Sequence, residues 1–148
     1  MSERIEIPDE VERTEIEAFV MASADAVWEL WTTAEGFEQW WWPMFGDTSY
    51  EVDAREGGSY RFRTATGGFG VQGRFLQLDE AKRIVLLWDW MSNYEGGDQR
   101  EDLVVIEFDE LGDGTHVRVT QTGPLDELEP LREGWQDCLT RLEEHFDD

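Results

Sequence analysis

The chain has 148 residues, 35 of them Asp or Glu and 12 Lys or Arg, which gives a formal charge of −23 at pH 7. That length suits one sizeable hydrophobic core, and a 40% hydrophobic fraction with eight Trp excludes a disordered chain despite the charge. The carboxylate excess excludes ordinary nucleic-acid binding, where cations must neutralise phosphates, and disfavours anionic membrane surfaces and acidic substrates.

Residues 1–13 are polar and carry Pro8, and read as a lead-in to one domain over 14–148. Ile16 to Met21 is an apolar stretch of strand length. Ser23 is placed to cap a short helix, with Asp25 in its first turn and Val27, Leu30 and Trp31 on one face. Gly36 is expected to interrupt that helix, a second short helical turn runs through Phe37, Trp40 and Trp41, and Pro43 stops it.

From Thr48 to Gly123 short runs rich in β-branched and aromatic residues alternate with turn signals at Gly57-Gly58, Gly67-Gly68, Asp79-Glu80, Gly96-Gly97 and Gly112-Asp113-Gly114. Such spacing predicts about six antiparallel strands with one face buried. Ile84, Leu86, Trp88 and Trp90 share one strand parity, and Val117 and Val119 the inward parity of the last strand. After Pro124 the period turns helical: Leu128, Leu131, Trp135, Cys138, Leu139, Leu142 and Phe146 form one stripe, with carboxylates opposite. A helix so striped must bury that face, and the sheet is its only partner. The expected fold is α+β: a curved antiparallel sheet wrapped around a long C-terminal helix, with two short helices after the first strand.

Several segments together resemble one known family. Ala22-Ser23-Ala24-Asp25-Ala26-Val27-Trp28 followed by Trp40-Trp41-Trp42-Pro43, and Val52-Asp53-Ala54-Arg55-Glu56-Gly57-Gly58-Ser59-Tyr60-Arg61-Phe62, are similar to motifs of the activator of Hsp-90 ATPase homologue-like family. Gly73-Arg74-Phe75, Leu87-Trp88-Asp89-Trp90, Gly114-Thr115-His116-Val117 and Gly134-Trp135 continue the resemblance in the same order. The resemblance implies a helix-grip fold of the START-like (SRPBCC) superfamily, whose members hold a cavity between sheet and C-terminal helix. Its members bind lipids, hormones or polyketides, and a minority are cyclases or hydrolases.

On that fold the expected function is non-catalytic binding of a hydrophobic or aromatic small molecule. The candidate ligand contacts are Trp40, Trp42, Phe62, Phe75, Trp88, Trp90, Trp135 and Leu139. A plain core role competes for each of Phe62, Phe75, Trp88, Trp90 and Trp135, since inward aromatics either line a hollow or fill it. Trp40, Trp41 and Trp42 are consecutive and do not all point inward. Two other functions stay open. A cyclase or hydrolase using the same cavity would need an acid or base, for which Asp89, Glu107 and His116 are the choices; a chaperone-modulating protein would need an exposed apolar patch.

No catalytic residue, metal or cofactor is expected. Neither His sits in a nucleophile motif, the single Cys138 forms no internal disulfide, and no Cys/His cluster, His-Glu-x-x-His or EF-hand spacing occurs. No basic–apolar leader and no span of about 20 apolar residues is visible, so a cytoplasmic monomer or homodimer is expected. Lys82 is the only Lys beside 11 Arg. Crowded carboxylates repel in dilute buffer and are relieved when screening shrinks to about 3 Å at 1 M salt, so the composition points to a halophilic, salt-adapted surface.

Overall fold

A computed structural model describes residues 5–41, 46–66, 68–92 and 102–146. Strand β1 (Arg13–Val20) is followed by two seven-residue helices, α1 (Ala24–Leu30) and α2 (Ala34–Trp40). Six strands come next: β2 (Thr48–Val52), β3 (Ser59–Thr64), β4 (Phe69–Asp79), β5 (Arg83–Ser92), β6 (Asp102–Leu111) and β7 (Gly114–Thr122). A short 3-10 turn at Leu125–Glu127 then leads into the long helix α3 (Leu128–His145). All neighbouring strands are antiparallel, in the order β1-β7-β6-β5-β4-β3-β2. This is the helix-grip arrangement, with β1 beside β7 at one edge and β2 at the other.

The two short helices are set by hydroxyl caps. Ser23 accepts from the Ala26 amide at 3.3 Å, and Ala24 N–H donates to the Glu110 carboxylate at 2.7 Å. Thr33 starts α2 by accepting from Gly36 N–H at 2.9 Å, while the Thr33 hydroxyl also donates back to the Glu29 carbonyl at 3.0 Å. Gly36 therefore lies inside α2 and does not break the helical stretch; the break falls at Trp31–Thr33. A glycine is needed there for another reason. A Cβ at 36 would sit 2.6 Å from the Glu29 carbonyl and 2.7 Å from Leu30 Cα, so α2 packs backbone-close on the end of α1. Trp40 locks that approach by donating its indole N–H to the Leu30 carbonyl at 2.9 Å.

Alternation supplies the core. Ile16, Ala18 and Val20 on β1, Val117 and Val119 on β7, and Val104, Ile106 and Phe108 on β6 are all buried. Ile84, Leu86 and Trp88 follow on β5, beneath Trp135, Cys138, Leu139 and Leu142 of α3. Burying each such apolar side chain stabilises the fold by roughly 1.5–3 kcal/mol. The lead-in is not a loose tail: Ile5 N–H donates to Gln77 at 2.7 Å, and its carbonyl accepts from Arg83 at 2.6 Å.

The sheet bends at β4. Its register against β5 shifts between Phe75 and Gln77, and the extra residue increases the local twist. Two residues earlier, Gly73 pairs with both Tyr60 and Trp88. A Cβ at 73 would meet the Leu87 carbonyl at 1.8 Å and the Tyr60 hydroxyl at 2.8 Å. The missing side chain leaves room for Tyr60, whose O–H donates to that same carbonyl at 2.5 Å. Because the obstruction is backbone, Gly73→Ala is expected to lower unfolding free energy by at least about 2 kcal/mol in urea titration, more than an ordinary substitution.

Candidate functional site

The space between α3 and the sheet is divided in two by aromatic rings. Trp135, reaching down from α3, lies 6.0 Å from Trp31 in a stacked pose, 5.3 Å from Trp41 and 5.1 Å from Trp88. Phe62 packs 4.6 Å from Phe37, and Tyr60 stands 5.6 Å from both Phe62 and Phe75. On this inner side, among the described residues, a void of about 10 Å³ is bounded by Trp31, Phe37, Phe62, Phe75 and their neighbours, too small for any ligand.

On the outer side of Trp135 the two layers stay apart. An open pocket of about 440 Å³ lies under the first half of α3, within the usual range for small-molecule sites. Its apolar wall is Trp41, Trp88, Trp90 and Trp135 with Pro130, Leu131 and Cys138; its polar groups are Asp102, Gln121 and Glu127. Each wall group follows from local geometry. Trp88 and Trp90 share the inward parity of β5, and Trp90, 36% exposed, stacks on Phe69 at 5.3 Å. Trp41 follows the last residue of α2 in an extended conformation (φ −96°, ψ 104°), which turns its ring inward beside the buried Trp40.

Two of the polar groups are buried, and Glu127 is half-exposed. Gln121 is 1% exposed and Asp102 7%. Gln121 accepts the Trp135 indole N–H at 2.6 Å, while its amide nitrogen has no hydrogen-bond partner among the described residues. The Cys138 thiol is pushed up to about 12, first by burial and against the opposing pull of the Arg141 guanidinium, which donates to Sγ at 3.4 Å. A thiol so raised stays protonated at neutral pH and is a wall group with no nucleophilic character. Among the described residues no group of three or more His, Cys, Asp or Glu side chains is placed to hold a metal ion.

Of the residues singled out in the sequence, Trp88, Trp90 and Trp135 meet at this pocket. Trp40, Phe62, Phe75 and Leu139 do not line it: each is buried in the packed part of the grip. Trp42 lies outside the described residues. Trp41, Asp102 and Gln121 were not singled out, although strand parity points to two of them. Asp102 shares the parity of Val104, Ile106 and Phe108, and Gln121 that of Val117 and Val119. The three acid–base choices lie away from the pocket. Asp89 accepts from Gln72 at 3.3 Å in a groove with Arg61 and Arg74, Glu107 accepts from Arg118 at 2.8 Å, and His116 lies 3.6 Å from Glu17. No helix among the described residues is long and apolar enough to cross a membrane.

Residues 21–147 match the family described as activator of Hsp90 ATPase homolog 1-like protein. The chain belongs to that family. Three solved structures are similar in fold. DynU16, from the dynemicin biosynthetic locus, has a TM-score of 0.75 and 22% identity over 95% of this chain and 48% of its own, so this chain spans about half of that protein. MLL2253 of Mesorhizobium loti has a TM-score of 0.75 and 17% identity, covering 92% of this chain and 97% of that one. The Aha1 dimer of Colwellia psychrerythraea has a TM-score of 0.73 and 17% identity, covering 90% of this chain and 95% of that one. No curated protein matches in sequence.

The state of Cys138 in this family member is open to direct measurement. Burial moves the thiol from 9.0 to about 12, so at pH 8 its thiolate share falls roughly a thousandfold relative to the unfolded chain. Alkylation by iodoacetamide at pH 8, followed by mass spectrometry, is expected to run at least about a hundredfold slower in the folded protein than in denaturant.

Proposed function

We propose that this chain binds a flat apolar or aromatic small molecule in the pocket under the first half of α3, without catalysing a reaction on it. One observation carries the reading: among the described residues the grip narrows to a void of about 10 Å³ beside Phe62, Phe75 and Tyr60, and stays open where four indoles form the wall. Indole faces offer large contact area at small cost in side-chain entropy, and ring–ring pairs add about 0.5–1.5 kcal/mol beyond area burial. The fold relatives support a binding role, since the grip architecture commonly houses ligands.

Magnitudes favour a ring system over a plain alkyl chain. A ligand burying roughly 300 Å² of apolar surface gains about 7 kcal/mol. Association costs consume an estimated 4 kcal/mol or more, so hydrophobic burial alone leaves weak binding. Stacking on the tryptophans supplies the remainder. Asp89, Glu107 and His116, the acids and base that a cyclase or hydrolase reading named, do not line the pocket, which speaks against that reading; the carboxylates that do line it are Asp102 and Glu127.

Trp90 gives the cleanest test because it is the most exposed of the wall indoles and its loss leaves the packed core intact. Titration with a library of aromatic hydrophobes, read by quenching of tryptophan emission, is expected to find saturable binders. Trp90→Ala should weaken them about fivefold or more, while its melting temperature stays within about 3 °C of wild type. No saturable response, or unchanged affinity in the variant, would count against the pocket.

The same proposal includes a salt-rich working solvent. With a charge of −23, repulsion between surface carboxylates opposes the compact state. Between about 0.1 M and 1 M salt the screening length falls from ~10 Å to ~3 Å. Thermal unfolding followed in KCl over that range should show a rising midpoint; a flat profile would remove the salt-adapted reading.

A further inference from the structure

Resting on the ligand-binding reading above, we propose that Gly134 is a specificity-determining position, where α3 carries no side chain so that a flat ligand lies directly against helix backbone. A glycine inside a helix destabilises it relative to alanine, because glycine loses the most backbone freedom on folding. Such a residue calls for a reason, and α3 offers none of the structural ones. Gly134 stands in the helix interior, away from either cap, and its φ is not positive. Nor does a neighbour press on it. Gly36 and Gly73 are glycines because backbone atoms would lie 2.6 Å and 1.8 Å from a Cβ. Among the described residues, a Cβ at 134 would meet no atom within 4 Å outside its chain neighbours and its own helix backbone.

The bare position belongs to the pocket. Pro130, Leu131, Gly134 and Cys138 line it together. Gly134 is three residues from Leu131 and four from Pro130 and Cys138, so all four share one face of the helix. A helical side chain leans towards the preceding turn, and one at 134 would lie over Pro130 and Leu131. It would therefore stand in the hollow between α3 and the indoles of β5. Trp135, next in sequence, closes the inner end of that hollow with the largest side chain available; Gly134 leaves the adjoining volume open with none. Between bare backbone and indole rings, the molecule that fits is a thin, flat ring system.

The test titrates two neutral probes, 2-naphthalenemethanol and 9-anthracenemethanol, against wild type, Gly134→Ala, Gly134→Leu and Gln136→Leu, with binding read by quenching of tryptophan emission. Gln136 is exposed and does not line the pocket, so its variant adds the same side chain to α3 elsewhere. Gly134→Leu is expected to weaken the tighter-binding probe at least about tenfold and Gly134→Ala about threefold, while Gln136→Leu stays within about twofold of wild type. The melting temperature of Gly134→Ala is expected to rise by about 2–4 °C, because a better helix former replaces glycine without a clash. A glycine kept for packing predicts the reverse: lower melting temperatures in both Gly134 variants overturn the inference. If Gly134→Leu fails to fold, Gly134→Ala decides by the same two measurements. Affinity left unchanged in the folded Gly134 variants overturns the role of Gly134 and leaves the pocket standing. Saturable binding of neither probe by wild type overturns both.

Discussion

The placement of the Trp135 indole governs how far this grip closes. Its ring stands among those of Trp31, Trp41 and Trp88, and its N–H is bonded to Gln121 on β7. Helix α3 is thus pinned at a fixed height above the sheet. Beyond that point towards its C-terminus the smaller Leu139 and Leu142 seal against the sheet without exposure, and Arg141 donates to the Trp40 carbonyl at 3.0 Å to hold α2. On the other side no comparable side chain among the described residues spans the gap, and the pocket remains. A packed core and an open pocket are in this way two halves of one aromatic assembly.

That division explains why membership of the family carries limited functional information. A shared grip fixes the sheet, the helix and the hollow between them, but the side chains at the divide set its volume and polarity. Relatives under 25% identical share the frame and need not share the wall. Here the wall combines indoles with a buried amide and a buried carboxylate.

The element order was legible because periodicity reports burial. Alternation marked the strands, the seven-position stripe marked α3, and Ser23 marked the start of α1. The candidate site was legible only in part. Trp88, Trp90 and Trp135 were visible as inward aromatics, yet so were Phe62 and Phe75, and nothing in a strand's parity says whether the opposite layer touches it. Asp102 and Gln121 carried the right parity but sit at strand ends, where polar residues read as the beginning of a turn. Trp41 was hidden by its neighbours: consecutive residues diverge on a helix, and α2 ends between the first and second of the three.

What the sequence determined by itself is the class of the molecule: an acidic α+β chain whose apolar stripe on α3 requires a sheet to cover it. Patterns of burial are local in the chain, so they survive without coordinates. What only tertiary structure decided is which inward aromatics touch. Phe62 lies 5.7 Å from Trp41, and Trp41 lies 5.3 Å from Trp135, although 94 residues separate that last pair. Such distances depend on the bend at the β4 bulge and on the backbone gap at Gly73, which set the depth of the sheet. A hollow is the difference between two packed surfaces, and no single segment of sequence encodes a difference.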